Sequence, residues 1–460
     1  MYKVDLDKPC HVHFLGIGGI SMSGLAEVLL GRGFTVSGSD VKETLITDRL
    51  IDLGVKIYFS QVKENITSDI DAVVYTAAVH PDNEEYAECI ARGIPMLKRA
   101  ELLGQIMSHY SYAVAVSGTH GKTTTTSMLS HIFMAADTDP TISIGGILDA
   151  INGNIRVGNS DFFVTEACEY TNSYHSLDPY ISIILNVDND HLDFFKNFDN
   201  IVESFKVFAG KLRPGGTLII NGDMPYTEYV SSGTTGKVIT FGAEEGNDYQ
   251  ARNITLDKKG HPEYDLYIRN EFATKVSLSV MGEHNAINSL SAIAAADILG
   301  IDMKYILQGL KKCKSAKRRF EYKGTLPGNV TVIDDYAHHP TEIAATLRVA
   351  NAIKESDLWC VFQPHTYTRT YELLDDFADV LSVCDHVIVA DIYSAREKDT
   401  GLVSSNDLVE RIKNKGCDAI YLGSFNEIEK FLKKNFKEND LLITIGAGNI
   451  DIVGENLLEE

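Results

Sequence analysis

The stretch Ser117–Thr126, SGTHGKTTTT, follows the apolar run YAVAV and closes on Gly-Lys-Thr. A glycine-rich turn that opens a helix can wrap backbone amides around a phosphate chain. A lysine there reaches the β and γ oxygens, and the next hydroxyl ligates Mg²⁺. Lys122 and Thr123 stand at those two positions. The spacing departs from GxxxxGK[ST], because Val116 occupies the place of the first glycine and Gly118 comes two residues later. The familiar nucleotide hydrolases are thereby excluded, while the phosphate-binding chemistry is retained.

Two acidic clusters follow. FVTEACEY carries Glu166 and Glu169, and LNVDNDHLDFF carries Asp188, Asp190, His191 and Asp193. Mg²⁺ takes a few carboxylate oxygens, water and substrate phosphates, so such groups beside a phosphate loop suit it. An imidazole is a softer ligand, and His191 suits Mn²⁺ as well. Taken singly, each of these residues could equally cap a neighbouring helix.

Near the N-terminus, GIGGIS (Gly16–Ser21) follows the apolar HVHFL, and Asp40 closes the next apolar segment. Glycines at such a turn allow close approach of a pyrophosphate, and a carboxylate one strand on suits a ribose. Ser21 replaces the third glycine of GxGxxG, so a plain tight turn remains an alternative. Towards the C-terminus, DDYAHHPTE (Asp334–Glu342) and FQPHTYTRT (Phe362–Thr370) each end an apolar run. Their His338, His339, His365 and Arg369 have the chemistry to hold phosphate or carboxylate.

These residues need elements to position them. Three strand–turn–helix beginnings, at His11, Tyr112 and Val330, each lead into alternating strands and helices. Such alternation implies parallel sheets covered by helices, with ligand loops at the C-terminal strand ends. Between Asp248 and Val280 the text turns to short β segments, and EHNAINSLSAIAAADILG then reads as a long helix. The expectation is a three-domain α/β chain. A Rossmann-like domain covers 1–107, a P-loop-type ATPase domain with a mostly parallel sheet and a small β-rich segment covers 108–316, and a second Rossmann-like domain covers 317–460.

The 460 residues hold 42 Lys and Arg against 64 Asp and Glu, a formal charge of 42 − 64 = −22. That balance argues against binding nucleic acid or an anionic membrane. Seven scattered cysteines without a CxxC pair suggest neither a disulfide framework nor a zinc site. The N-terminus lacks a basic segment followed by an apolar run, and no apolar stretch reaches the roughly 18 residues of a membrane span. A cytoplasmic protein is expected.

Ten segments, in order, resemble the ATP-dependent Mur ligase family over essentially the whole chain: GIGGISMSGLAE, SGTHGKTTTT, TEACEY, NVDNDHLDFF, GEHNAINSLSA, RRFE, DDYAHHPTEI, FQPHTYTRT, DIYSAREKDTG and GAGNI. The resemblance implies an enzyme that joins L-alanine to the carboxylate of UDP-N-acetylmuramate through an acyl phosphate, with ATP and Mg²⁺ (Mn²⁺ as an alternative). A monomer or homodimer is expected, with small-molecule partners only. Carried over, Gly16, Gly18, Gly19 and Asp40 would meet the UDP moiety. Gly118, Thr119, His120, Gly121, Lys122, Thr123 and Thr124 would hold the ATP phosphates. Asn288, Arg319 and Asp335 would meet the rest of the nucleotide. Thr123, Glu166 and His191 would ligate metal, and Tyr336, His338 and Arg369 would approach the alanine and the acyl group. Lys122, His338 and Arg369 carry the catalytic roles in this reading.

Two departures from the family pattern matter. Several members carry a carbamylated lysine beyond the metal histidine. That register falls at Phe205 here, with Lys206 beside it, so no carbamate is expected. Thr366 stands where some members have a second arginine, which leaves Arg396 as a possible substitute. Two other readings remain: a nicotinamide oxidoreductase built on GIGGIS, and a nucleotide-regulated binding protein without ligation. A relative that ligates a whole peptide is a third.

Overall fold

The computed structural model describes residues 2–76, 79–395 and 397–459. Arg396, the possible second carboxylate-binding arginine, lies outside them. The chain divides into two compact units.

The first unit carries two sheets. The N-terminal one has five strands in the order Lys56–Tyr58, Thr35–Ser39, His11–Leu15, Ala72–Tyr75 and Met96–Lys98, all parallel. The chain starts in the middle of this sheet and builds outward in both directions. The end of His11–Leu15 is therefore the switch point where a crevice opens, and the helix Ile20–Gly31 starts just beyond it. Local signals set other helix ends. Asn83 caps Glu84–Arg92 by accepting from the Tyr86 N–H, and Gly93 ends it at φ +66°.

In the second sheet Tyr112–Ser117 lies between Phe162–Glu166 and Ile181–Ile184, parallel to both. Val116 pairs with Glu166, and Ser117 with Ile184. This register brings the three loops that begin after residues 117, 166 and 184 side by side. Outer strands Thr217–Asn221 and Lys237–Gly242 extend one edge in parallel, and Thr141–Leu148 with the antiparallel Gly153–Arg156 extends the other. The β-rich segment comprises Tyr249–Leu256, Pro262–Ile268 and Glu271–Ser277. One continuous core joins the two sheets' helices, including Phe14, Leu25, Ile106, Ala113, Phe163, Tyr174 and Phe205. Each fully buried Leu or Phe in it is worth roughly 1.5–3 kcal/mol.

The second unit holds a six-stranded sheet in the order Glu321–Leu326, Val330–Asp335, Leu441–Ile445, Leu358–Phe362, His386–Val389 and Asp418–Tyr421. Only the first pair is antiparallel. Leu358, Cys360 and Phe362 face one hydrophobic cluster while Trp359 and Val361 face another, the period of two of a sheet covered on both sides. Asp335 and Phe362 both pair with Ile445, so the loops after them leave the sheet together. No helix among the described residues is long and apolar enough to cross a membrane.

Candidate active site

The phosphate-type loop leaves Ser117 and turns into the helix Lys122–Ala135. Gly118 and Gly121 sit at φ +144° and +85°. A Cβ on Gly118 would lie 2.9 Å from the Leu185 Cβ, and one on Gly121 would lie 2.7 Å from Asn288 Nδ2. Both positions therefore require glycine. The first intrahelical bond runs from the Thr125 N–H to the Gly121 oxygen at 3.0 Å. The amides of Lys122, Thr123 and Thr124 thus form the open first turn that suits an anion.

Thr119 and His120 are turned elsewhere. Thr119 donates its N–H to the Asn186 oxygen (3.2 Å), and His120 donates its own to Asn186 Oδ1 (2.8 Å). Asn186 Nδ2 donates back to the His120 oxygen at 2.9 Å, so one side chain holds the peptide groups on both sides of His120. Asp188 adds its N–H to Thr119 Oγ1 (2.9 Å), and its carboxylate lies 3.2 Å from His120 Nε2. Asn186 was not among the sequence candidates; its position two residues beyond the paired strand Ile181–Ile184 was the available signal.

Lys122 Nζ donates to the Gly118 and Thr119 oxygens and to both oxygens of Glu169, at 3.0 and 3.1 Å for the latter. Burial disfavours the ammonium, but the charge of Glu169, helped by Cys168 and Glu166, overrides it and holds Lys122 above the usual lysine value. Glu169 also lies 3.6 Å from His191 Nε2. It is the hub between the lysine and the histidine, a role the sequence left unassigned. Glu166 stands at its strand end with Oε1 accepting the Gly145 N–H at 2.7 Å. His191 adopts φ +56°, and its ring lies 4.7 Å from that of Tyr170. Phe205 is buried against Tyr174, and the Lys206 ammonium sits 3.9 Å over the Tyr229 ring.

At the first glycine cluster, Gly16 takes φ +81°, and the Gly16 and Ile17 amides donate to the Ser39 oxygen. Gly18 donates to Asp40 Oδ2 at 2.8 Å, where a Cβ would collide with the same carboxylate. Asp40 therefore shapes the loop directly. Gly19 caps the following helix without a side-chain bond.

The second unit gathers the remaining candidates. Buried Asp335 accepts from the Phe320 N–H (2.9 Å), the Ala337 N–H (2.7 Å) and Thr346 Oγ1 (3.2 Å). Burial pushes its carboxyl up to about 6 against the opposing pull of Arg319. Arg319 lies 5.4 Å from the Tyr336 ring. Its neighbour Arg318 is spent on the scaffold, donating to Asp334 (2.9 Å) and to the Gly446 and Gly448 oxygens (both 2.7 Å). Tyr336, His338 and His365 form a chain of rings 5.6 and 5.7 Å apart, and Arg369 Nη1 reaches His365 Nδ1 at 3.3 Å. His338 Nδ1 faces the Tyr336 oxygen at 3.1 Å. In the neutral ring that nitrogen carries the proton, which makes Nε2 the basic one.

Comparisons with known proteins fit this layout. Models of the Mur ligase family catalytic domain, the Mur ligase middle domain and the Mur ligase glutamate ligase domain match residues 11–111, 116–296 and 318–448. The UDP-N-acetylmuramate–L-alanine ligases of Agathobacter rectalis and Lachnospira eligens are 54% and 55% identical, each over 100% of both chains. Among solved structures, UDP-N-acetylmuramate–alanine ligase from Thermotoga maritima aligns with TM-score 0.83 at 28% identity, covering 98% of each chain. A murein peptide ligase from Psychrobacter arcticus aligns with TM-score 0.72 at 26% identity and the same coverage.

Proposed function

This chain belongs to the Mur ligase family, and we propose on that premise that it joins L-alanine to the carboxylate of UDP-N-acetylmuramate at the expense of ATP. The observation that carries the reading is the end-to-end likeness to alanine-adding ligases at more than half identity. The products are UDP-N-acetylmuramoyl-L-alanine, ADP and phosphate, a step of peptidoglycan synthesis.

A carboxylate is a poor electrophile, so the muramyl carboxylate first attacks the γ-phosphorus of ATP. ADP leaves, and the acyl phosphate so formed carries a good leaving group. The amine of alanine then adds to the acyl carbon, phosphate departs, and the amine proton passes to a base. Two anions meet in the first step. Lys122 and the open amides of residues 122–124 offset that repulsion and the charge that builds on the transferred phosphoryl group. Glu169 keeps Lys122 charged and aims it. Thr123, Glu166 and His191 would hold Mg²⁺, and a hydroxyl, a carboxylate and an imidazole beside a glycine cradle suit that ion or Mn²⁺. When bound, the ion supplies charge to the phosphate oxygens.

Asn288 fits the nucleotide role through its place against Gly121. Within the second unit, Arg319 and Asp335 are the residues assigned to the nucleotide. Tyr336 and Arg369 hold the amino acid, and His338, through Nε2, takes the proton from its amine. Gly16, Gly18, Gly19 and Asp40 hold the UDP end. On this reading the domain boundaries fall near Met107 and Ala316, and the enzyme works in the cytoplasm.

The test is phosphate release from ATP with UDP-N-acetylmuramate and each amino acid in turn. Release should require the sugar nucleotide and be strongest with L-alanine. Release that needs neither the sugar nucleotide nor an amino acid refutes ligation. Lys122→Ala should abolish turnover in a folded protein.

A further inference from the structure

Arg99 opens the helix Arg99–Met107 at the end of the N-terminal sheet. Its Nη1 donates to Ser21 Oγ at 2.9 Å. Ser21 lies in the first turn of the helix that follows the glycine loop, whose cap residue Gly19 contributes no side-chain bond. One of five guanidinium donors is thereby used, and among the described residues no carboxylate pairs with Arg99. Other arginines of this unit differ: Arg49 meets Glu27, Arg92 meets Glu88 and Arg156 meets Asp139. Burial works against the charge of Arg99, and only the nearby Cys168 opposes that effect. A partly buried cation without an acid is costly unless an anion completes it.

Its position is firmly held. A Cβ on Gly104 of the same helix would overlap the Ser176 backbone, so helix and segment touch without a gap. Arg213 Nη2 donates to the Met107 oxygen at the helix end (2.8 Å). Through Ser21 the Arg99 guanidinium borders the start of the glycine-loop helix. The amides of the helix start, the Ser21 hydroxyl and an uncommitted guanidinium converge there, a donor set for a dianionic diphosphate.

We propose that Arg99 is a substrate-positioning residue that binds the pyrophosphate of the nucleotide-sugar substrate at the glycine loop. The proposal rests on the ligase reading above. The pyrophosphate supplies the negative charge that the protein withholds from Arg99, and its fixation directs the sugar and its carboxylate towards Lys122.

The test titrates UDP and uridine calorimetrically into the full chain and into Arg99→Met and Arg99→Lys, alongside KM for UDP-N-acetylmuramate, ATP and L-alanine. Loss of charge-assisted hydrogen bonds should weaken UDP binding to Arg99→Met about 10- to 100-fold and raise KM for the sugar nucleotide similarly. Uridine binding and KM for ATP should stay unchanged. Arg99→Lys should fall between, because it keeps charge but loses the fork. The unfolding midpoint of Arg99→Met should not fall, since no ion pair is broken; if that variant does not fold, Arg99→Lys carries the comparison. UDP affinity within twofold of the unaltered chain overturns the proposal. So does an equal weakening of UDP and uridine, which marks a structural role. An unaltered chain that fails to bind UDP-N-acetylmuramate overturns the ligase reading and this proposal with it.

Discussion

The clasp of Asn186 on the phosphate-type loop can be tested by deleting it. Asn186→Ala removes the bonds to the His120 N–H and oxygen, at 2.8 and 2.9 Å, from the two part-buried peptide groups that flank His120. At about 0.5–1.5 kcal/mol per bond the loss is about 1–3 kcal/mol. Three restraints survive: the Thr119 N–H to the Asn186 backbone oxygen, the Asp188 N–H to Thr119 Oγ1, and Lys122 on the loop carbonyls. The loop then keeps its path but loses its rigidity. Ordering it again upon ATP binding costs the same free energy, so KM for ATP should rise about 5- to 100-fold, tenfold per 1.4 kcal/mol. The rate at saturating ATP should change little, because Lys122 and Glu169 still face each other. Asn186→Asp retains an acceptor for the His120 N–H but not the donor, and adds a charge that repels phosphate, so it should be at least as impaired. Phosphate release at varied ATP, with urea unfolding of the same samples, provides the assay. An Asn186→Ala protein with wild-type KM and stability refutes the clasp; a lower saturated rate with unchanged KM shows that Asn186 acts on the chemical step instead.

Gly121→Ala forces an L side chain to φ +85° and drives its Cβ to 2.7 Å from Asn288 Nδ2, so we expect about 1–3 kcal/mol lost in denaturant unfolding and weaker ATP binding. An unchanged unfolding curve would mean that the turn relaxes freely. Asp335 titrates near 6 in the folded protein against 3.8 as a free side chain, so the folded state holds the extra proton between those values. Its contribution to stability is full below pH 3.8, is lost as pH rises through about 6, and amounts to roughly 3 kcal/mol. The stability difference between pH 4 and pH 7 should therefore change by about that amount in Asp335→Asn, measured by urea unfolding at each pH; parallel pH profiles would contradict the shift. Trp359 is the sole tryptophan and donates to Asp440 at 2.9 Å, while Asp440 also accepts from the Lys437 and Asp357 amides. Asp440→Ala should cost about 2–4 kcal/mol and shift tryptophan emission while leaving KM for ATP unchanged. Unaltered emission and stability would show that water replaces the carboxylate.

Much of this architecture was legible before any coordinates. Apolar runs ending in glycine, histidine or carboxylate marked strand ends, and the strand–helix alternation required parallel sheets with their loops on one rim. The β-rich text after Asp248 became strands from Tyr249 to Ser277, and GEHNAINSL opened the helix Glu283–Ile298. Residue type alone pointed to Lys122 as the phosphate-facing cation and to Gly118 and Gly121 as turn glycines, and their positive φ angles supply the reason.

Pairings within the site were not legible. Of two acids three residues apart, Glu169 meets Lys122 and His191 while Glu166 meets the Gly145 amide. Two adjacent arginines both lie over Tyr336, but Arg318 also braces the Gly446 and Gly448 oxygens and pairs with Asp334. Asp40 closes onto Gly18, and Asn186 grips His120 across 66 residues. Such partners are chosen by strand register, by the path of each loop after its last paired residue, and by burial. Chemistry at a position is a property of the residue, and the sequence carries it openly. Which neighbour receives that chemistry depends on distances of a few tenths of an ångström between distant segments, and only the packed fold sets those.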